Sequence, residues 1–186
     1  MSLDKFFGRG GSDKAQAPAD PEIVERPAAP TGETETVRKL VAELNAMPQD
    51  RAVWLASFAY VLTRVAAADL DVDQRETLEI EKIVQQWGGP TEAQAVLVVT
   101  IAETQSSLLG GTDDYLVTRR FRDVSTWEDR TQLLHCLFAV ASAGGDTISA
   151  QESHEIREIS DELGFTLPEL NEVRRQYSDR LAALQQ

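Results

Sequence analysis

Residues 61–88 read VLTRVAAADLDVDQRETLEIEKIVQQWG, and residues 137–164 read LFAVASAGGDTISAQESHEIREISDELG. Laid over each other at a shift of 76 residues, Glu76 falls on Glu152, Glu79 on Glu155, Ile80 on Ile156, Ile83 on Ile159 and Gly88 on Gly164. The preceding apolar segments align too, Val61 with Leu137, Leu62 with Phe138 and Ala67 with Ala143. Each stretch runs from the end of an apolar helix, through an acidic loop, into an amphipathic helix stopped by glycine. Asp73 with Glu76 and Ser149 with Glu152 match the capping box, in which a side chain and a Glu three residues later satisfy each other's unpaired N–H groups. Gly88-Gly89-Pro90 and Gly164 suit helix ends, and Thr91 and Thr166 then open further helices at a shift of 75.

Outward from this pair, residues 53–68 are apolar nearly all round, interrupted by Ser57, Thr63 and Arg64. A membrane span needs about 20 such residues with few charges, so this shorter, arginine-bearing segment reads as a central core helix. Val37, Leu40, Val41 and Leu44 follow the i, i+3, i+4, i+7 pattern of an amphipathic helix ending before Pro48. Further capping boxes are expected at Thr91–Gln94, Ser125–Glu128 and Thr166–Glu169, and Gly110-Gly111 separates two more segments. No stretch alternates with period two. The fold class is therefore all-α: a single pseudo-twofold helix bundle of about seven to eight helices, with repeat halves at about 50–108 and 125–184. Neither half hides its apolar helix alone, so the two buried helices are expected to pack together.

The chain has 186 residues and a formal charge of −13, an acidity that argues against binding a phosphate backbone, which needs clustered Lys and Arg. One cysteine excludes a disulfide framework or multi-thiolate metal site. Residues 1–34 hold Pro18, Pro21, Pro27 and Pro30 with Gly8, Gly10, Gly11 and Gly32, and no apolar periodicity between Gly8 and Thr34. This stretch reads as a disordered tail, leaving 35–186 as the folded domain. Leu3, Phe6 and Phe7 lie among Lys5 and Arg9 without the apolar run of a secretory signal, and Ser2 does not suit myristoylation. The location expected is cytoplasmic, with peripheral membrane association through that segment left open and no transmembrane segment.

The acidic loops carry the candidate chemistry. In the first, Asp69, Asp71 and Asp73 alternate and Glu76 follows; in the second stand Asp146 and Glu152. Hard cations such as Ca²⁺ or Mg²⁺ take carboxylate and carbonyl oxygens, so Asp69, Asp71, Asp73, Glu76, Asp146 and Glu152 are candidate metal ligands of a weak divalent-cation site. Counting from Asp69, position six is Gln74 and position twelve is Ile80, where an EF-hand needs Gly and Glu; the loop is not an EF-hand. The competing reading is structural: Asp73 and Ser149 are N-caps and Glu76 and Glu152 complete the boxes, each cap worth about 1 kcal/mol.

A small-residue helix end, an Asp-Gly-like turn, an aliphatic residue and then S/D-x-x-E opening a helix resembles the repeated signature of the TerB-like tellurite-resistance family. Asp114-Tyr115, residues 130–134, Ile156-Arg157-Glu158-Ile159 and Leu163-Gly164-Phe165 add to it. The likeness extends over about residues 50–181 and leaves out the tail. It departs from the pattern at Asp69-Leu70 and at Gly145-Asp146, both of which alter the turn. A related helical module precedes the J-domain of a membrane-bound DnaJ-type co-chaperone. The resemblance implies an all-α pseudo-symmetric bundle, a role in tellurite and chemical-stress responses, and cation binding by the acidic loops.

Other residues promise less. His154, Glu155 and Glu158 lack the second histidine of a zincin helix. His135 and Cys136 are neighbours about 100° apart on an apolar helix, so Cys136 reads as a small core residue. Trp54, Trp87 and Trp127 are expected to pack the bundle. Arg119, Arg120 and Arg122 beside Phe121 form the one basic cluster, a solvated face or a docking point for an acidic partner or a second copy in a homodimer. Carboxylates in wet loops lack the opposed pKa values and closed cleft of acid–base catalysis, so no enzyme is expected. The expected function is a helical adaptor with protein partners in stress or metal-linked responses, or, alternatively, an interaction domain whose acidic residues only cap helices.

Overall fold

A computed structural model describes residues 31–69, 73–108 and 112–181. Eight α-helices follow in order: α1 (Thr31–Asn45), α2 (Gln49–Ala66), α3 (Gln74–Gly88), α4 (Glu92–Leu108), α5 (Thr112–Val124), α6 (Trp127–Ala141), α7 (Ala150–Leu163) and α8 (Leu167–Arg174), with a 3₁₀ turn over Arg175–Arg180. Among the described residues there is no strand; the only extended pairing is an isolated bridge between Ile148 and Leu181. No helix there is long and apolar enough to cross a membrane. The tail expected over residues 1–34 falls outside the described residues up to position 30, and α1 already occupies positions 31–34. Gly110 and Gly111 also fall outside them.

The helix starts are local chemistry made visible. Asp73 and Ser149 cap α3 and α7 in complete boxes with Glu76 and Glu152. Thr91 and Gln94 exchange bonds of 2.9 and 3.4 Å at the start of α4, and Thr166 with Glu169 opens α8. The box expected at Ser125–Glu128 lies one residue later: Thr126 and Asp129 cap α6. That register makes Trp127 the first helical residue and lays its ring 4.5 Å from that of Phe165.

The ends of α3 and α7 also correspond. Gly89 (φ 66°) and Gly164 (φ 91°) adopt the left-handed conformation that closes a helix and that only glycine adopts at little cost. An arginine serves each end: the Arg51 guanidinium donates to the Gly88 carbonyl, and Arg130 Nη1 donates to the Leu163 carbonyl at 3.1 Å. Each guanidinium also lies over an indole, Arg51 over Trp54 at 4.5 Å and Arg130 over Trp127 at 5.1 Å.

The core forms around α2, whose residues from Trp54 to Ala66 are buried except Ala56. The expected contact of α2 with α6 is present, but α2 packs more extensively on α4 and α5, and also touches α3 and α7. Trp54 and Phe58 stack at 4.7 Å, and Phe121 of α5 closes the cluster at 5.9 Å from Phe58. Leu133, Leu134, Leu137 and Phe138 of α6 complete the same core.

Candidate functional site

Because the loops precede α3 and α7, the packing of the bundle decides whether their carboxylates meet. They do. Glu76 and Glu152, both only 5% exposed, come together at the junction, close enough for the charge of Glu152 to bear on the Glu76 carboxyl. Each also holds its cap: Glu76 Oε2 accepts from the Asp73 N–H at 3.1 Å, and Glu152 Oε2 accepts from the Ser149 N–H at 2.7 Å. Two buried carboxyls brought together favour keeping a proton on one of them over both being charged. Burial, with the negative charges of Glu152 and Asp69 adding to it, pushes the Glu76 carboxyl up to about 7. Near neutral pH that proton is therefore exchangeable.

Gly144 is the floor beneath Glu76. A Cβ there would stand 2.6 Å from Glu76 Oε1 and 2.8 Å from its Cδ, so no other residue leaves the carboxyl where it is. Arg75 clamps the two loops: it binds Asp73 through Nε at 3.1 Å and Nη2 at 2.9 Å, and its guanidinium reaches the Gly144 carbonyl of the second loop. The side-chain and backbone hydrogen bonds from Arg75 hold the Asp73 carboxyl below the usual carboxylate range. The guanidinium also feels the charge of Asp146, which is solvent-exposed.

Of the six residues expected as ligands, Glu76 and Glu152 form the buried centre, Asp69 lies within electrostatic reach of Glu76, and Asp146 lies within reach of Arg75. Asp73 is committed to its cap and to Arg75, and Asp71 lies outside the described residues. Among the described residues no group of three or more His, Cys, Asp or Glu is arranged to hold a metal ion.

Sequence reasoning missed a second polar centre. Arg64, buried in α2, pairs with Glu155 at 2.7 Å and Glu162 at 2.7 Å on α7, and also donates to the Thr118 hydroxyl and Asp114 carbonyl of α5. The available signal was the seven-residue spacing of Glu155 and Glu162, two turns on one face, and the arginine that interrupts the apolar run of residues 53–68. Next to it, Tyr60 donates to Asp114 Oδ1 at 2.7 Å.

The lesser candidates fall into place. Cys136 is buried, with its thiol pushed up to about 11 by burial, as suits a core residue. Burial lowers the half-buried His135. His154 is exposed and lies 3.4 Å from Glu158. Trp54 is buried against Phe58, whereas Trp127, though its ring lies by Phe165, is 46% exposed and Trp87 is 43% exposed. The arginine cluster is divided: Arg119 and Arg120 face solvent, while Arg122 Nη1 donates to the Glu162 carbonyl at 3.0 Å.

Neither the curated proteins nor the solved structures compared with this chain gave a match. A family model does match, that of tellurite resistance protein TerB, over residues 55–175, from the core of α2 to the start of the 3₁₀ turn. The matched span includes both capped loops, the glycine-closed helices and the joined glutamates, and by it the chain belongs to the TerB family.

Proposed function

We propose that this TerB-family domain is a non-enzymatic adaptor of the cytoplasm, acting in tellurite, chemical-stress or metal-linked responses through protein partners, and that the junction of its acidic loops is a weak divalent-cation site. The observation that carries the reading is the meeting of two buried glutamates, one from the helix that follows each acidic loop. Two buried carboxylates brought together resist ionising at once unless a positive charge joins them. At low pH a proton supplies it, and above neutrality a cation can take its place. Mg²⁺ suits a site of one or two carboxylates completed by water, whereas Ca²⁺ asks for six or more oxygens. Glu76 and Glu152 would be the anchors, with Asp69 and Asp146 adding negative charge nearby. Asp73, already paired with Arg75, keeps its structural role.

A titration of the whole chain with Mg²⁺ and with Ca²⁺ at pH 6 and pH 8 tests this. Amide resonances of residues 69–76 and 144–152 should shift more readily at pH 8. Calorimetry in buffers of different ionisation heat should show proton release on binding near neutrality. Glu76→Gln, which keeps the cap acceptor but cannot ionise, should weaken binding at least tenfold, the scale at which a lost metal partner is felt. Resonances unmoved by millimolar cation at pH 8 would sink the cation site. The second reading, an interaction domain whose acidic residues are only caps, would then stand; it draws on the fact that every cap at this junction is complete.

A further inference from the structure

Away from the acidic junction, α1, α2, α4 and α5 enclose an apolar groove of ≈ 630 Å³. Val41 and Met47, Ala56, Ile101 and Leu116 line it, one contribution from each of these helices and from the turn after α1. Val41, Ile101 and Leu116 are 40%, 49% and 52% exposed, so three large aliphatic side chains from three helices share one uncovered face. The volume suits a short peptide's anchoring side chains and lies in the range of ligand pockets. Asp113 and Arg120, two turns apart on α5, supply one charge of each sign at its edge.

We propose that this groove is occupied by the chain's own residues 1–9, with Leu3, Phe6 and Phe7 as the anchors. Those three are spaced i, i+3, i+4, the pattern by which an amphipathic turn lays one face into a hydrophobic groove. Between Phe7 and Ile23 no further large apolar residue occurs, so the anchors form a discrete motif on a polar chain. Asp4 and Lys5 beside them match the opposite charges of Arg120 and Asp113. The connection is geometrically permissive. The chain enters α1 at Thr31, and Val41 lies ten residues further along, about 15 Å at 1.5 Å per residue. Phe7 and Thr31 are twenty-four residues apart in sequence, a length whose flexible-chain reach is roughly 27 Å, enough to return to the groove. A tether of that length supplies an effective concentration of about 1 mM, so an intrinsic Kd of about 0.1 mM suffices for about 90% occupancy. The docked segment then competes with any partner for the same face.

The full-length chain serves for the test, wild type against Phe6→Asp/Phe7→Asp, whose substitutions lie outside the folded domain. Hydrogen exchange of residues 41–47, 98–105 and 113–120 should quicken about tenfold in the variant, the change expected when 90% occupancy is lost. The apolar dye ANS should bind the variant more strongly, and excess synthetic peptide of residues 1–11 should reverse both effects. Ala56→Trp, filling the exposed floor of the groove, should make wild type exchange like the variant. Identical exchange and dye binding in wild type and variant overturn the proposal. Protection that disappears on dilution to nanomolar protein assigns the occupant to a second copy, and overturns it as well. So does loss of binding to anionic vesicles in the variant with groove exchange unchanged, since the phenylalanines then serve a membrane.

Discussion

The apolar helices α2 and α6, which a 76-residue shift sets against each other in sequence, solve burial differently. Buried along one side after another, α2 carries Ser57, Tyr60, Thr63 and Arg64 inward, where α6 has Leu133, Cys136, Ala139 and Val140. Every one of those polar groups in α2 is satisfied: Ser57 by the Val53 carbonyl at 2.6 Å, Thr63 by the Tyr60 carbonyl at 2.8 Å, Tyr60 by Asp114, and Arg64 by Glu155 and Glu162. Polar groups of α6 such as Gln132 and His135 sit instead on its half-exposed side. The lesson is that a helix enclosed by five others needs direction as well as burial. Hydrophobic contact alone would let α5 and α7 slide along α2, whereas the Arg64 guanidinium fixes both at once.

The comparison breaks most severely at Arg64. Arg64→Leu leaves Glu155 and Glu162 half-buried without their cation, and unfolding in urea should show a loss of about 3–5 kcal/mol. Val140→Ala, at the corresponding place in α6, should cost about 1–3 kcal/mol through its cavity alone. If the charges are the cause, Arg64→Leu combined with Glu155→Gln and Glu162→Gln should recover much of the loss. A triple variant no more stable than the single one would mean that the guanidinium acts by packing instead.

Aromatic truncation comes next. Phe58 is stacked on Trp54 at 4.7 Å and Phe138 on Tyr177 at 4.8 Å, so each helix anchors one stack. Both are at most 1% exposed, and Phe58→Ala and Phe138→Ala should each cost about 3–4 kcal/mol. Phe58 also meets Phe121, which Phe138 has no equivalent for, so Phe58→Ala is expected to be the larger in equilibrium denaturation.

These differences mark what a sequence can and cannot disclose. Caps are local, so Asp73–Glu76, Ser149–Glu152 and Thr166–Glu169 were legible as patterns three residues long. The α6 cap shows the limit: Ser125–Glu128 and Thr126–Asp129 are overlapping registers of one pattern, and the choice comes from the distant Phe165 ring that receives Trp127. The joined glutamates were legible as two separate caps but not as a pair, since 76 residues separate them. Arg64 read as an interruption in an apolar run, because its partners lie 91 and 98 residues away. The apolar groove left no signal at all, since its walls come from four helices that each look ordinary alone.

The glutamate junction gives a smaller, pH-dependent effect. Glu76 is raised from its ordinary 4.5 to about 7, so its neutral form is favoured by folding. That stabilisation is complete below about pH 4.5 and is lost as pH rises to 7; over this window it amounts to about 3 kcal/mol. Glu76→Gln, neutral at every pH, should flatten the decline between pH 5 and pH 8 and leave the variant more stable than wild type at pH 8. Parallel pH profiles for the two proteins would show that the junction carries no exchangeable proton.

The smallest effect tests why residue 144 is glycine where residue 68, aligned with it in sequence, is alanine. At the aligned position Ala68 carries a Cβ, whereas a Cβ at Gly144 would press on Glu76 Oε1 and Cδ, and 3.1 Å from its Cγ. Gly144→Ala must therefore displace the Glu76 side chain, straining its bond to the Asp73 N–H and its contact with Glu152. The cost should be about 1 kcal/mol, close to the loss of a cap, and the reverse exchange Ala68→Gly should change stability by less. The sharper readout is ionisation: with its carboxyl moved toward water, Glu76 in Gly144→Ala should titrate nearer 4.5 than 7, visible in carboxyl ¹³C shifts. An unshifted titration would mean the glycine serves the turn of the second loop and has no part in keeping the two carboxyls together.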